Sequence, residues 1–300
     1  MIKKLFVFLI LACAVFSNKS AGAVFEPVMP AILALAPGVP GCDGFTQPTQ
    51  AEFEKMVAEA TTSIGTHPNN ASFYIQRGIA YGDMGDHDKA IEDFNKAIEL
   101  DPKNGDAYFN RGFDYEDKKN FEQAFSDYTR ALELNPELSD AYLGLGRIFM
   151  ENKKFRDAIQ FFSAAIQLDS LYREAYYNRA LAYDELMDYT HAAADYEKAI
   201  ALNPKDACAH NNLALDYQSM GQTQTAMVHF NQAIALDPAL TNAYTNRAQL
   251  YAELGQIQNA IKDYDEALKL EPQNAELIAE KAEWVSRLNA PNRLQAQGSS

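Results

Sequence analysis

The chain reads ASFYIQRGIAYGDMGDHDKAIEDFNKAIELDPKN from Ala71 to Asn104, and the next 34 residues repeat this pattern with different polar side chains. Six copies follow one another without insertion, at 71–104, 105–138, 139–172, 173–206, 207–240 and 241–274. Pro102 closes the first copy, and every later copy has proline at the same position except the third, which has Ser170. A constant period of this length predicts a repeat architecture in which each copy packs on its neighbours.

Each copy carries the pattern of two helices. Places are counted from the first residue of a repeat, so Ala71 is place 1. A ring stands at places 4 and 11 and a small residue at place 8, as in Tyr74, Tyr81 and Gly78. Alanine at place 20, a ring at place 24 and alanine at place 27 follow, as in Ala90 and Phe94. Both spacings place three residues on one helical face, so rings and small residues are predicted to form the core.

The two patterns and the closing proline together resemble the tetratricopeptide repeat family over residues 71–274. The departures are tyrosine or histidine where the family commonly has tryptophan, and Ser170 in place of proline. The resemblance implies an all-α fold, a right-handed superhelical solenoid of helix-turn-helix repeats. It also implies a concave groove that binds peptides or extended segments, in a protein that works without enzymatic activity.

The segments that flank the repeats have patterns of their own. Residues 50–69 are predicted to form an N-terminal capping helix, which resembles half a repeat, and residues 275–289 a C-terminal capping helix that shields the last repeat from solvent. Residues 290–300 read as a disordered tail. Residues 24–49 contain five prolines and read as a linker, which either packs on the first repeat or acts as a docking segment.

Residues 1–23 have the form of a secretory signal peptide. Lys3 and Lys4 precede an apolar run of twelve residues, and small residues follow at Ala21 and Ala23. A cleaved signal predicts a periplasmic or secreted protein that is not inserted in a membrane. An uncleaved anchor and a lipoprotein modified at Cys13 are the alternatives. A run of twelve is short for a bilayer, which needs about 20 residues.

Composition narrows the classes of function. The net charge of −15 argues against a nucleic-acid binder and favours basic protein partners. No catalytic motif or metal-ligand spacing is recognisable, so the sequence predicts no enzyme activity, no cofactor and no metal. Cys42 and Cys208 are predicted to be unreactive thiols, since repeats so far apart are not expected to touch. The oligomeric state is left open.

Places 7 and 23 vary together among the copies. Arginine at place 7 accompanies aspartate at place 23 in four repeats, as in Arg77 with Asp93. In the other two repeats leucine at place 7 accompanies Phe161 or His229. This co-occurrence predicts an ion pair that fixes the packing of the two helices. The alternative is that these arginines bind a ligand.

Places 2, 6, 9 and 13 point away from the predicted core and form the candidate groove. They carry acids and amides, and Arg147 is the only basic residue among them. The candidate peptide-binding residues are Asn110, Asn178, Asn212, Asn246, Asp83, Asp106, Asp117, Asp140, Glu151, Glu174, Glu185 and Glu253. The four asparagines match the family's amide-lined groove, whereas the family's basic carboxylate-binding groove is not matched.

These residues favour a scaffold or adaptor that binds an extended, basic segment of a partner protein. In this interpretation the amides hold the peptide backbone and the carboxylates select lysine or arginine. The simpler alternative is a solvated face on an acidic protein. Two other functions stay open, namely a lipid-anchored factor in envelope assembly and a scaffold that associates with itself through its exposed ends.

Overall fold

A computed structural model describes residues 49–289 of the chain. The predicted signal peptide (1–23), the proline-rich linker except for Thr49, and the C-terminal tail (290–300) therefore lie outside the described residues. Within 49–289 all regular secondary structure is helical, and no described helix is long and apolar enough to cross a membrane. The fold is an all-α helical-repeat solenoid, as the sequence predicts.

Fourteen helices make up the described chain. They are α1 (Gln50–Thr66), α2 (Ala71–Asp83), α3 (His87–Leu100), α4 (Gly105–Asp117), α5 (Phe121–Leu134), α6 (Ser139–Glu151), α7 (Phe155–Leu168), α8 (Arg173–Asp184), α9 (Tyr189–Leu202), α10 (Ala207–Ser219), α11 (Thr223–Leu236), α12 (Thr241–Glu253), α13 (Ile257–Leu270) and α14 (Ala275–Asn289). Each repeat contributes one even-numbered and one odd-numbered helix from α2 to α13. We call these its first and second helix.

Local sequence explains where the helices begin and end. Thr49 and Glu52 form a reciprocal capping box at α1, in which the Glu52 carboxylate accepts a hydrogen bond of 2.7 Å from the Thr49 amide. At α4 the Asn104 side chain accepts from the Ala107 amide at 3.1 Å. In five repeats the second helix ends two residues before the closing proline, as at Leu100 before Pro102, because proline disfavours the helical conformation of the residue that precedes it.

The turn between the two helices of a repeat needs a left-handed residue at place 15. Three repeats have glycine there, for example Gly85 with φ of 79°. The other three have Lys119, Lys153 and Met187, with φ of 57°, 54° and 57°. A residue with a Cβ atom is strained in this region, so these three turns are less favourable than the glycine turns.

The described chain divides into two compact units. Unit 1 comprises residues 49–175 and unit 2 comprises residues 176–289. In unit 1, α2 contacts α4 and α4 contacts α6, and in unit 2, α10 contacts α12. First helices of successive repeats therefore stack on one another within each unit, which brings their outward-facing side chains into rows.

The core of each repeat is a ring of the second helix that packs against the small residue of the first. Phe94 and Phe162 are buried. A Cβ atom at Gly78 would lie 2.7 Å from Phe94 Cε1, and one at Gly146 would lie 2.3 Å from Phe162 Cε1. These contacts explain why place 8 is glycine in unit 1. Each buried ring contributes about 2–3 kcal/mol of transfer free energy.

The predicted ion pair between places 7 and 23 is confirmed in all four repeats. Arg111 donates two hydrogen bonds of 2.7 Å to the buried carboxylate of Asp127, and Arg77, Arg179 and Arg247 pair in the same two-pronged way. Arg111 also donates to Asn95 on the second helix of the preceding repeat. The guanidinium thus joins three helices, and three of its five N–H donors are used within the protein.

One sequence-based expectation is wrong. Cys208 is disulfide-bonded in the structure, so it is not a free thiol. It is the only cysteine within residues 49–289. The expectation rested on contacts between neighbouring repeats alone.

Candidate functional site

The acidic face of unit 1 is built by places 2 and 13 of the first helices. We use this name for Asp83, Asp106, Asp117, Asp140 and Glu151, which lie on α2, α4 and α6. All of them are exposed except Asp117, which is half-buried. Place 13 is near the C-terminal end of each first helix, where the helix dipole disfavours a carboxylate. The carboxylates at place 13, Asp83, Asp117 and Glu151, therefore destabilise their own helices.

Asp83 and Asp117 have no ion-pair partner within the described chain. Partial burial raises the pKa of the Asp83 carboxyl above its ordinary value. Burial also raises the pKa of Asp117, and the neighbouring Glu116 adds to this, although His87 and Arg147 act in the opposite direction. Neither carboxylate is therefore neutralised by a direct ion pair, and for each of them burial is the largest effect on the pKa.

Asp114 lies between them and belongs to the same site, although the sequence did not single it out. Its carboxylate is buried and lies 2.7 Å from His87 Nδ1. Burial, with a smaller effect of the charges of Asp117 and Asp83, raises the pKa of Asp114 to about 7, although the hydrogen bond with His87 lowers it. A Cβ atom at Gly82 would lie 2.9 Å from Asp114 Oδ1, so this glycine makes room for the carboxylate.

Arg147, the one basic residue predicted in the groove, is engaged by the protein itself. Its Nε and Nη2 atoms donate hydrogen bonds of 2.6 and 3.0 Å to Glu116, and Tyr128 donates another of 2.6 Å to the same carboxylate. Both charged side chains are largely buried. Arg147 therefore neutralises Glu116 and makes no direct ion pair with the acidic face.

The other predicted residues of unit 1 are partly used by internal contacts. Asp140 accepts a hydrogen bond from the Tyr172 hydroxyl, and Glu174 pairs with Arg173 at 2.7 Å. Asn110 donates through Nδ2 to the Asp106 carbonyl oxygen at 2.7 Å. Within this unit the charges of Asp83 and Asp117 act on Asp114, and Glu151 is exposed on the next first helix.

The amide face of unit 2 differs in chemistry. We define it as Asn178, Asn212 and Asn246 at place 6, with Leu181 and Leu215 at place 9. Asn212 donates to the hydroxyl oxygens of Tyr177 and Tyr196 at 3.1 and 3.3 Å, and Asn246 donates to Asn211 at 3.0 Å. These amides are half-buried and cross-linked with their surroundings. One predicted acid near them, Glu253, accepts from Gln218 at 2.9 Å, and Glu185 is exposed.

A buried carboxyl pair lies within unit 2, and the sequence did not predict it. Asp184 of α8 accepts a hydrogen bond of 2.7 Å from Tyr196, and Asp216 of α10 is its neighbour and is 2% exposed. One oxygen of each carboxyl, Asp184 Oδ1 and Asp216 Oδ2, makes no hydrogen bond. Burial and the charge of Asp184 raise the pKa of Asp216 to about 9, so it is protonated at neutral pH.

The histidines of repeat five form a second cluster in unit 2. His210 and His229 stand at the places of the missing tyrosine and aspartate, and their rings stack together with Tyr217. Within residues 49–289, however, no group of three or more histidine, cysteine or acidic side chains is arranged to hold a metal ion. The packing role that the sequence predicts for His210 fits its burial.

Comparison with known proteins identifies the repeat type. A model described as "Tetratricopeptide repeat" matches residues 71–104, 105–138, 174–206, 207–240 and 241–274, and a second model with the same description matches residues 139–170. The matched copies follow the repeats read from the sequence within two residues. No curated protein sequence matches the chain.

Several solved structures share the fold. A chain of the Cut9–Hcn1 hetero-tetramer of APC/C aligns with a TM-score of 0.64 and 22% identity over 79% of this chain, which spans 46% of the Cut9–Hcn1 chain. PilF of Pseudomonas aeruginosa aligns with a TM-score of 0.64 and 20% identity, covering 76% of this chain and 99% of its own. YrrB, a TPR protein with an unusual peptide-binding site, has a TM-score of 0.56 and 23% identity, covering 64% of this chain and 99% of its own. At these identities the similarity establishes the fold alone.

Proposed function

The chain belongs to the tetratricopeptide repeat family, and from this premise we propose that its acidic face binds an extended, basic segment of a partner protein. Repeats of this family form scaffolds for protein–protein interaction, and such scaffolds are typically not enzymes. The proposal adds the location and the charge of the ligand. It rests on unit 1 alone.

The absence of a positive partner for Asp83 and Asp117 carries the proposal. A raised pKa means that the ionised form of a carboxyl is less stable in the free protein than in water. A lysine or arginine of a ligand would stabilise that ionised form. The one arginine nearby, Arg147, is already paired with Glu116. A purely solvated face needs no such arrangement, because isolated carboxylates in water keep ordinary pKa values.

The geometry of the first helices also suits an extended ligand. Consecutive first helices of unit 1 stack, so place 13 presents Asp83, Asp117 and Glu151 in a row with one carboxylate per repeat. Asn110 offers Oδ1 as an acceptor for a backbone N–H group of the ligand. A peptide with regularly spaced basic residues matches this row better than a compact folded surface.

The direct test compares two variants with the same change in net charge. Asp117→Lys with Glu151→Lys reverses two carboxylates of the acidic face, whereas Glu92→Lys with Glu137→Lys reverses two exposed acids elsewhere in unit 1. Binding of a fluorescent lysine-rich peptide is measured by anisotropy. We expect the first variant to bind at least about tenfold more weakly, equivalent to about 1.4 kcal/mol, and the second to bind as the unaltered chain does.

Salt and pH provide independent checks on the same peptide. Screening should weaken binding as ionic strength rises. Because the pKa of Asp114 is about 7, affinity should fall as the pH drops from 8 to 6 and the site gains a proton. Equal affinity of both variants, or binding that is indifferent to salt, contradicts an electrostatic site.

We also propose that the protein is exported to the periplasm or secreted, on the sequence of residues 1–23. Mass spectrometry of the mature N-terminus distinguishes cleavage after Ala23 from lipid attachment at Cys13. A separate candidate function is self-association through α14, whose Ile278 and Leu288 are exposed apolar residues. Sedimentation that shows a monomer at all concentrations would rule this second candidate out.

A further inference from the structure

Two repeats carry an acid at place 12 of the first helix together with a tyrosine at place 24 of the second. They are repeat two, with Glu116 and Tyr128, and repeat four, with Asp184 and Tyr196. The tyrosine hydroxyl donates a hydrogen bond to the acid at 2.6 Å in repeat two and at 2.7 Å in repeat four. No other repeat has an acid at place 12. The same acid–tyrosine pair therefore occurs once in each unit.

The two pairs differ in what the following repeat supplies. In unit 1, Arg147 at place 9 of repeat three donates hydrogen bonds of 2.6 and 3.0 Å to the two oxygens of Glu116, and its side chain is largely buried. Place 9 of repeat five, which stands in the same sequence relation to Asp184, is Leu215. The acid of unit 2 thus has a leucine at the place where the acid of unit 1 has an arginine.

A second carboxyl lies beside Asp184. Asp216 of α10 is 2% exposed and forms a hydrogen bond with Asp184. Its counterpart at place 10 in unit 1, Asp114, lies 2.7 Å from His87, whereas repeat four has Tyr189 at the place of that histidine. Asp184 Oδ1 and Asp216 Oδ2 are buried and make no hydrogen bond, and neither carboxyl has an ion-pair partner within residues 49–289. Two acceptor oxygens on α8 and α10 therefore remain unpaired.

We propose that Asp184 and Asp216 bind an arginine side chain of a partner protein, which takes the place that Arg147 occupies in unit 1. We call the two carboxyls the arginine site. The proposal concerns unit 2 and a single side chain, so it is independent of the basic segment proposed for the acidic face of unit 1.

A guanidinium suits this pair of oxygens better than other cations. It has five N–H donors in a planar fork, so one guanidinium can donate to an oxygen of each carboxyl, whereas the ammonium of lysine is a compact point charge. It is also more weakly hydrated than an ammonium, which lowers the cost of bringing it to buried carboxyls. A metal ion is not favoured, since no group of three or more suitable side chains within residues 49–289 is arranged to hold one.

The arginine site lies close to the groove surface of unit 2. Asp184 is half-buried, and Leu215 is 36% exposed. The hydroxyl of Tyr196 accepts a hydrogen bond of 3.3 Å from Asn212, one of the candidate groove residues at place 6. Because Leu215 stands where Arg147 reaches its acid in unit 1, we place the entry of the ligand at this leucine side chain.

Binding of a cation should release a proton. Burial and the hydrogen bond and charge of Asp184 raise the pKa of Asp216 to about 9, so the free site holds one proton at pH 7.5. Glu185, Tyr196 and Tyr217 also interact with the two carboxyls, and none of them is a cation. A guanidinium favours the ionised form of both carboxyls and lowers this pKa, so the proton leaves to the solvent.

Three fluorescent pentapeptides test the site. Each has blocked ends and four alanines around a central arginine, lysine or citrulline, the last of which has the shape of arginine without its charge. Anisotropy measures their binding to the full chain at pH 7.5. We expect the arginine peptide to bind at least about tenfold more tightly than the citrulline peptide, with the lysine peptide in between. Equal affinity for the arginine and citrulline peptides would overturn the proposal.

Carboxyl variants separate this site from the acidic face of unit 1. Asp184→Asn with Asp216→Asn keeps the size of both side chains and should abolish the preference for arginine over citrulline. Asp117→Lys with Glu151→Lys reverses two charges of the acidic face and should keep that preference. Thermal unfolding checks that both proteins are folded. A preference that survives the first pair of substitutions and disappears with the second would overturn the proposal, while supporting the site in unit 1.

A guanidinium supplied by the chain itself provides a second test. Leu215→Arg reproduces the arrangement of Arg147 at a partly exposed position, and it should weaken binding of the arginine peptide at least about tenfold. The matched control is Gln249→Arg, at the same place of repeat six, because its place-12 neighbour in repeat five is the neutral Gln218. It should bind the peptide as the unaltered chain does. Equal binding by the two variants would contradict the assigned entry and the site.

Proton release gives a readout that a general attraction between charges would not produce. Calorimetric titration of the arginine peptide at pH 7.5, in two buffers with different ionisation enthalpies, counts the protons released. We expect close to one proton per bound peptide with the unaltered chain and none with Asp216→Asn. Binding without proton release, or release that Asp216→Asn leaves unchanged, would overturn the proposal.

Discussion

The Nδ1 atoms of His210 and His229 lie 3.0 Å apart, and the two rings stack with centroids 5.3 Å apart. In this hydrogen bond one Nδ1 atom donates and the other accepts. When both rings are neutral, only one of the two Nδ1 atoms therefore carries a hydrogen. Burial lowers the pKa of both imidazoles, and the nearness of His210 lowers that of His229 further. Asp206 and Glu197 oppose these shifts only in part.

Repeat five should therefore lose stability in mild acid. A histidine whose folded pKa is lowered is protonated more readily in the unfolded chain, so the free energy of unfolding falls as the pH drops below about 6.5. We expect a loss on the order of 1 kcal/mol between pH 7.5 and pH 5, measured by urea unfolding. The variant His210→Tyr with His229→Phe copies Tyr142 and Phe161 of repeat three and should lose less over this range. An unchanged pH dependence in that variant would contradict the assignment.

Removal of one member of an arginine–aspartate pair should be worse than removal of both. Arg111→Leu leaves the Asp127 carboxylate buried without a partner and should cost about 3 kcal/mol. Arg111→Leu with Asp127→Phe recreates the leucine and phenylalanine of repeat three, Leu145 and Phe161, and should cost less than Arg111→Leu alone. Urea unfolding of the four proteins of this double-mutant cycle measures the coupling. Additive losses would contradict a structural pair.

Asp216 should destabilise the protein increasingly as the pH rises from about 4 to about 9. Its pKa is raised to about 9, so the folded protein keeps a proton that the unfolded chain releases, and the free energy of unfolding falls with pH over this interval. Asp216→Asn replaces the carboxyl, whose retained proton costs folding free energy as the pH rises, with a neutral amide that can donate to the free Asp184 Oδ1, so we expect a gain of about 1–3 kcal/mol at pH 8.

The control for this prediction is Asp216→Leu, which has the side chain of Leu250 at the same place of repeat six. It removes the ionisable carboxyl but cannot donate a hydrogen bond to Asp184. It should therefore flatten the pH dependence with a smaller gain than Asp216→Asn. Thermal unfolding at pH 6 and pH 8 distinguishes the two variants, and a pH profile like that of the unaltered chain would contradict the raised pKa.

The turn of repeat four should be improved by glycine. Met187 has φ of 57° and its side chain is exposed, so Met187→Gly relieves backbone strain without loss of core packing. We expect a net gain of about 0.5–1 kcal/mol, because the relief of about 1–2 kcal/mol exceeds the entropy that glycine loses on folding. The reciprocal variant Gly221→Ala should lose a similar amount. Chemical unfolding measures both, and a loss on Met187→Gly would contradict the prediction.

Comparison of the copies with one another made the fold predictable. Residues that meet within a repeat, such as Arg77 with Asp93 or Gly78 with Phe94, recur at fixed places, so six copies act as six observations of one contact. The two-pronged contact of Arg77 with Asp93 and the close packing of Phe94 on Gly78 both lie between the two helices of one repeat. The candidate acids at place 13 were found in the same way, and their function as a peptide site stays a prediction.

Charged contacts between repeats were harder to predict, because each of the following occurs once. Asp114 meets His87 of the previous repeat, Arg147 meets Glu116, and Asp216 meets Asp184. Asp114 and Asp216 stand at place 10, which is apolar or small in the other four copies. This difference indicates, from the sequence alone, a polar residue at a buried position. The disulfide of Cys208 had no such signal, since the repeats contain no second cysteine.

The arginine that joins three helices has a consequence for how such a chain can grow or shorten. Its charged partner lies 16 residues further on, inside the same 34-residue copy, whereas its contact in the preceding copy is with a neutral side chain such as Thr61, Asn95 or Asn231. Duplication or deletion of one whole copy in the gene therefore adds or removes both charges together. The new neighbours meet through a neutral hydrogen bond that many residues can supply, so the number of copies can change without leaving a buried charge unpaired.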